Sequence, residues 1–223
     1  GELRLHNLLR ASADDPIMRE TQDQFFDEVY WRPAARTAAN LGISSPLGVA
    51  VVYDSAVHGS WIKMRDATIQ QAGSFAALGE RRWIAAYVAT RHAWLARHPR
   101  ADLRRTVYRM VAFQRLIEQG YWGLELPLVV RDAEISRLTL AATPPGCYDG
   151  PQPGSRSLTL QTPLARGIDV RLVQLGLSER GVNIKADGVF GQTSVNLLKS
   201  YQASHGLPAT GVADPQLIGQ LLA

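Results

Sequence analysis

Residues 45–59 read SPLGVAVVYDSAVHG, and this stretch decides the fold. Ser45 supplies an N-cap hydroxyl and Pro46 suits the first helical position, so a helix starts here. From Leu47 to Val57 nearly every residue is small or apolar, the composition of a helix buried on most sides. Asp54 stands in the middle of that run. A carboxylate taken out of water without partners costs several kcal/mol or more, so Asp54 must be paired or protonated.

Two later helices offer the partners. Tyr87–Leu95 (YVATRHAWL) places Arg91 in an equally apolar context, and Thr106–Phe113 (TVYRMVAF) does the same for Arg109. One acid between two arginines leaves a surplus positive charge. Such a cluster serves either as a core ion network that fixes helix packing, or as a scaffold for a further carboxylate from the enzyme or its substrate.

Outward from this stretch the pattern is helical. Asp15-Pro16 opens a long helix to about Asn40, carrying Phe25, Phe26, Val29 and Tyr30 on an apolar stripe, with Pro33 expected to kink or split it. Further helices are expected over Trp61–Ala77, Glu80–Arg97 and Ala101–Gln119, the last closed by Gly120. The stretch YWGLELPLVVRDAEISRLTL reads as short strands or an irregular wrap. From Ala141 to Ser157 Pro and Gly dominate without apolar periodicity, as in a linker. Beyond it, helices are expected over Ile168–Leu177, Thr193–His205 and from the Asp214-Pro215 cap to Leu222.

The 223 residues, 46% of them apolar, are enough for two domains with real cores. The net charge of +4 divides evenly along the sequence: Pro153–Ala223 holds six basic and four acidic residues, against eighteen and sixteen before it. No basic run carries interleaved aromatics, which argues against nucleic acid as a partner. The single cysteine, Cys147, excludes an intrachain disulfide and a cysteine metal site, and reads as an inert linker thiol. No cofactor or metal is expected, His92 and His98 having no matching ligands. No stretch is apolar for long enough to span a membrane. The chain starts at Gly1 rather than Met, so Gly1 reads as an expression scar or a cut end, and the lack of a signal peptide says little about targeting.

The C-terminal stretches GIDVRLVQLGL, ADGVFGQTSVNLLKSYQASHGL and TGVADPQLIGQLL resemble the peptidoglycan-binding module of three short helices. The likeness lies in Val173-Gln174, the Asp187–Gly191 loop, Tyr201-Gln202 and the closing Asp-x-x-x-Ile-x-x-Leu, and it covers about 55 residues. Gly188 and Gly191 permit a tight loop, Phe190 plugs the small core, and Asp187 caps the loop amides. Asp187, Phe190, Tyr201 and Gln202 are therefore the module's marker residues.

Three earlier segments are similar to chitosanases of glycoside hydrolase family 46, relatives of the lysozyme-type hydrolases. They are the helix with Val-Tyr-aromatic-x-Pro-Ala at Val29–Ala34, the Tyr-Asp-x-x-Val-His-Gly at Tyr53–Gly59, and the two arginine-bearing helices. The second is one residue shorter between Asp and His than the family's pattern. The resemblance implies that Asp54, Arg91 and Arg109, with Arg105 as the alternative to Arg109, form a charge network supporting the catalytic Glu. That network would position the Glu and stabilise its ionised state, since a positive neighbour lowers a carboxyl pKa.

The fold class expected is mainly α: a lysozyme-like helical domain at residues 1–140, a linker at 141–157 and a small three-helix peptidoglycan-binding domain at 158–223. Glycosidic cleavage needs two carboxyls, roughly 6.5–9.5 Å apart for inversion and about 5 Å for retention. The resemblance places the acid and the base before everything matched here, so the chain reads as the C-terminal portion of a longer hydrolase, or the partner of a separate chain. Glu20, Asp23, Asp27 and Glu28 read as solvated helix-face charges. Tyr30, Trp31, His58, Tyr121 and Trp122 are the substrate-binding candidates, while Trp61, Trp83 and Trp94 fall at core spacing.

The function expected is a monomeric cell-wall hydrolase cutting β-1,4 bonds of peptidoglycan and tethered to it, in the periplasm or outside the cell. Chitosan is the alternative substrate. The rival readings are a non-catalytic wall binder and a delivered toxin with an immunity partner. For the 223-residue chain itself, wall binding with little lysis is expected.

Overall fold

The computed structural model describes residues 2–223. Helices α1 (Glu2–Ser12), α2 (Pro16–Phe26) and α3 (Arg32–Leu41) precede α4 (Pro46–Val57), α5 (Trp61–Ala72), α6 (Phe75–Leu78) and α7 (Glu80–Ala96). Then come α8 (Ala101–Arg104), α9 (Tyr108–Glu118), strands β1 (Leu128–Val130) and β2 (Ala133–Ile135), and α10 (Arg137–Ala141). The rest holds β3 (Ala165–Arg166), α11 (Ile168–Glu179), β4 (Val189–Phe190), α12 (Gln192–Ser204) and α13 (Pro215–Leu222). The chain is mainly α, as its sequence pattern requires.

Three expected helices are broken, each for a local reason. The long helix expected to Asn40 is interrupted by a π-helical turn at Asp27–Trp31, where the Arg32 N–H bonds the Asp27 carbonyl. Pro33, at the second position of α3, has no N–H to offer the turn before it, so the ladder widens just upstream. The helix expected to Ala77 stops at Ala72, because Gly73 turns to φ +113° and Ser74 caps the short α6 through the Ala77 N–H. The helix expected over Ala101–Gln119 divides into α8 and α9 at Arg105–Val107.

The chain forms two compact units: residues 23–142, and residues 1–22 together with 143–223. The segment before residue 23 thus groups by contacts with the C-terminal residues rather than with 23–142. In the second unit α1 packs on α11, and buried Asn7 explains why. Its amide donates to the Ile184 carbonyl at 2.8 Å and to Ser178 Oγ at 3.0 Å, and its oxygen accepts the Ala186 N–H at 2.9 Å. Buried Asp14 faces Arg171 at 3.2 Å and accepts the Tyr148 N–H at 2.7 Å, while Arg171 also donates to the Arg10 and Gly146 carbonyls. The expected linker is thus partly strapped down by its own backbone groups. The core beneath is built from Val170, Val173, Leu177, Phe190, Leu198 and Ile218.

In unit 23–142, α7 is the central buried helix. Trp83, Ile84, Tyr87 and Val88 are fully buried and pack with Val51 and Val52 of α4 and Met64 of α5. Trp61 and Trp83 each lie within about 6 Å of the Tyr87 ring, so both are core residues. The stretch after α9 forms an antiparallel hairpin with Leu128 opposite Ile135. Its two-residue turn, Arg131-Asp132, has both φ angles positive, at +52° and +65°, which matches the strand twist.

This division also redistributes charge. Residues 23–142 carry fifteen basic and eleven acidic side chains, and the other unit nine of each, so the whole surplus of +4 sits on the helical unit.

Candidate active site

The start of α4 forms as its sequence requires: Ser45 is the cap, and its hydroxyl accepts the Gly48 N–H at 3.1 Å. Glu80, in the first turn of α7, accepts from the Ser45 N–H at 2.8 Å, the Ser45 hydroxyl at 2.5 Å and the Ser44 N–H at 3.1 Å. Burial pushes the Glu80 carboxyl up, but these hydrogen bonds outweigh it and hold the group below the usual carboxylate range. One end of α4 is thereby fixed to one end of α7.

The second clamp is the charge network. Arg91, three turns further along α7, donates through Nη1 to Asp54 Oδ2 at 2.5 Å and to Ser55 Oγ at 2.9 Å. Arg109, in the first turn of α9, donates through Nε to Asp54 Oδ1 at 2.7 Å and through Nη2 to the same oxygen. Asp54 therefore spends both carboxylate oxygens on two arginines, as the burial argument demanded. Among the described residues the Arg91 Nε finds no acceptor although it is buried. Tyr87, one turn earlier on α7, has its hydroxyl pushed up to about 12 by burial, so it stays neutral beside the cluster.

Arg105 stands outside the network. It is the C-cap of α8 and makes no side-chain bond to Asp54, whose second arginine is Arg109. His58, one of the substrate-binding candidates, stands against the network. Its Nε2 meets Arg109 Nη1, so the imidazole must accept there. Burial and then the Arg109 charge hold His58 below the usual histidine range, against the opposite pull of Asp54. The network is thus a four-residue chain, Arg91–Asp54–Arg109–His58, with net charge +1 when the histidine is neutral.

A cavity of about 260 Å³ opens beside Asp54 and Arg109, walled mainly by Phe113, Leu124, Leu128 and Ile135. Trp31 is 43% exposed, with its ring edge-on to Tyr53 at 5.6 Å. Tyr53 immediately precedes Asp54 on α4, so the contact ties the turn that carries Trp31 to the helix that carries the network. Tyr30 clusters with Phe25 and Phe26 instead. Tyr121 is exposed, but Trp122 is half-buried against the core, its ring under Arg81 and its carbonyl accepting the Leu47 N–H at 3.0 Å. Trp122 is accordingly a packing residue.

Ser55 and Tyr53 are members that sequence reading passed over. Ser55 could have been found, since a fully buried hydroxyl beside Asp54 in an apolar run needs a partner of its own. The acids Glu20, Asp23 and Glu28 are exposed, and Asp27 pairs with Arg32 at 2.6 Å, as solvated helix-face charges do.

In the three-helix unit, Asp187 Oδ1 accepts the Val189 N–H at 3.0 Å and Gln174 Nε2 at 3.1 Å, closing the loop around fully buried Phe190. Gln202 ties α12 to the Gly211 N–H and the Val212 carbonyl. The ring of Tyr201 stacks on His205 at 4.1 Å. Gly188 needs its glycine, at φ +75°, whereas Gly191 is extended at φ −104° and does not.

A family model described as glycosyl hydrolase family 46 matches residues 2–128, and one described as a putative peptidoglycan binding domain matches residues 166–221. A chitosanase of Bacillus subtilis (strain 168) is 26% identical over an alignment of 144 residues that covers 59% of this chain and 52% of that protein. The chain thus spans about half the length of the curated relative it matches. The GH46 chitosanase of Gynuella sunshinyii, solved in complex with chitotetraose, shows 27% identity and a TM-score of 0.48 over 54% of this chain and 56% of that one. The native chitosanase of Bacillus subtilis MY002 shows 21% identity and a TM-score of 0.49 over 53% and 54%.

Proposed function

Since this chain belongs to glycosyl hydrolase family 46, we propose that it serves the hydrolysis of a β-1,4-linked glucosamine polymer of the chitosan type at the bacterial cell wall, in the periplasm or outside the cell. The observation that carries this reading is Asp54 held between Arg91 and Arg109, at the positions where the sequence resembles the family's charge network.

In this reading the network does not cut. Its single surplus positive charge, beside an apolar cavity, suits a carboxylate that must become an anion once it has protonated the leaving oxygen. The surplus lowers that group's pKa, so it favours the state after proton transfer. The exposed Trp31 indole, braced edge-on by Tyr53, offers an apolar face for a sugar ring. The unit over 166–221 acts as a tether, raising the effective concentration of an insoluble polymer.

Peptidoglycan as the substrate is the second reading. It is favoured by the match to a peptidoglycan-binding model and by the charge of unit 23–142, which would repel a polycation. The test is release of reducing ends by the protein from chitosan and from purified peptidoglycan, each with and without the Asp54→Asn change. Cleavage of chitosan alone supports the first reading, and cleavage of peptidoglycan alone supports the second. Wall pull-down without new reducing ends from either polymer would overturn both and leave a wall-binding protein.

A further inference from the structure

We propose that the groove between α5 and α7, away from the charge network, is a binding site for an acidic glycan. The groove has a volume of about 590 Å³ and is lined by Lys63, Gln71, Thr90, Trp94, Arg97 and His98 among others. None of its lining residues is a carboxylate. Three of them are basic, and neither Lys63 nor Arg97 has an acidic partner among the described residues.

The acids nearest in sequence are already engaged: Asp66 with Arg65 at 2.8 Å, and Asp102 with Arg100 at 2.5 Å. Lys63 instead holds its ammonium 5.0 Å from the centre of the Trp94 ring, so a π face stands where a carboxylate would otherwise be. The His98 ring lies edge-on to the same indole at 4.9 Å. Its Nδ1 accepts the Arg100 N–H at 3.2 Å, which leaves Nε2 as its remaining donor.

An indole, the Lys63 and Arg97 cations, the neutral His98 donor and the polar ends of Gln71 and Thr90 form one set. The indole offers contact to the C–H face of a sugar and the two cations offer charge to an acidic substituent, while the Gln71 amide oxygen accepts the Thr90 hydroxyl at 3.3 Å, which leaves the Gln71 NH2 to donate to ring hydroxyls. A neutral glucosaminide would leave the cations unanswered, and a polycationic one would be repelled. The acidic group is a carboxylate, as on a lactyl-bearing amino sugar, or a phosphate esterified to a sugar. The charge of the whole helical unit points the same way.

The experiment is a proton–nitrogen NMR titration of the full chain with N-acetylmuramic acid, N-acetylglucosamine 6-phosphate and neutral N-acetylglucosamine. The expected result is movement of the Trp94 indole signal with one or both acidic sugars and none with the neutral one. Response to the first alone names the carboxylate source, and response to the second alone the phosphate. The Lys63→Glu, Arg97→Glu double variant, changed at two exposed positions, should bind at least about tenfold more weakly with an otherwise unchanged spectrum. Rising ionic strength should weaken binding by the unaltered chain, a check that does not depend on the variant folding. Equal response to neutral and acidic sugars, or no movement at Trp94 with any of them, would overturn the proposal. Binding is read without hydrolysis, so the outcome is independent of the cleavage assay.

Discussion

Arg91 and Asp54 meet at 2.5 Å with the guanidinium side chain 1% exposed and the carboxylate 9% exposed, whereas Arg109, on the other carboxylate oxygen, is 29% exposed. The two arginines therefore do different work. Arg91 is sealed between helices, and Arg109 is the member that solvent and a ligand can reach.

Removing Asp54 should leave Arg91 buried and uncompensated. Asp54→Ala is expected to cost about 3–5 kcal/mol of stability, and Arg91→Ala a similar amount. Arg109→Ala should cost less, because water can reach the space it leaves. Urea unfolding of the three variants checks the order. A loss for Arg109→Ala equal to that for Arg91→Ala would show that the exposure difference does not govern the network.

His58 makes the network sensitive to pH. Its folded-state pKa lies below the unfolded value near 6.5, because burial and Arg109 disfavour the imidazolium. The unfolded chain therefore takes up the proton first as pH falls. The stabilising contribution is complete above the unfolded pKa, declines as pH drops through that value, and is gone below the folded pKa. His58→Gln keeps an acceptor for Arg109 without a titrating proton, so its melting temperature should fall less between neutral and mildly acidic pH. Identical pH profiles for the two proteins would remove His58 from this role.

Two glycines of one loop should respond differently. Gly188 sits at φ +75°, and an added Cβ would come within 2.2 Å of the Tyr148 ring, so Gly188→Ala should cost at least about 1–3 kcal/mol. Gly191 is extended, and its nearest neighbour would be Leu164 at 3.8 Å, so Gly191→Ala should change stability by no more than about 0.5 kcal/mol. Thermal unfolding of the pair would show whether backbone handedness sets the difference.

Asn7 should behave as a core residue of the second unit although it lies far off in sequence. Asn7→Ala leaves the Ala186 N–H and the Ile184 carbonyl without their partner, at a cost of about 1–3 kcal/mol. Limited proteolysis should then cleave within residues 1–22 sooner than in the unaltered chain. Unchanged cleavage would mean that α1 is held by other contacts.

Local chemistry was legible in the sequence. Ser45-Pro46 and Asp214-Pro215 open helices where their caps predict, and the Asp214 side chain accepts the Leu217 N–H at 2.8 Å. The cost of burying Asp54 demanded partners, and the apolar surroundings of Arg91 and Arg109 named them before any distance was known. These inferences hold because capping and desolvation depend on residue type and near neighbours.

Geometry between distant segments decided the rest. Choosing Arg109 over Arg105 required the contact to Asp54, and placing His58 on Arg109 required the meeting of two helix ends. Residues 2–22 join the C-terminal residues through contacts such as the Asn7 amide, which satisfies backbone groups 177 and 179 positions away. Hydrogen-bonding demand is written in each residue, but the residue that meets it is selected by the packed chain. For that reason the acid and its need for partners belong to the sequence, while the order of the charged chain and the docking of α1 on α11 belong to the tertiary structure.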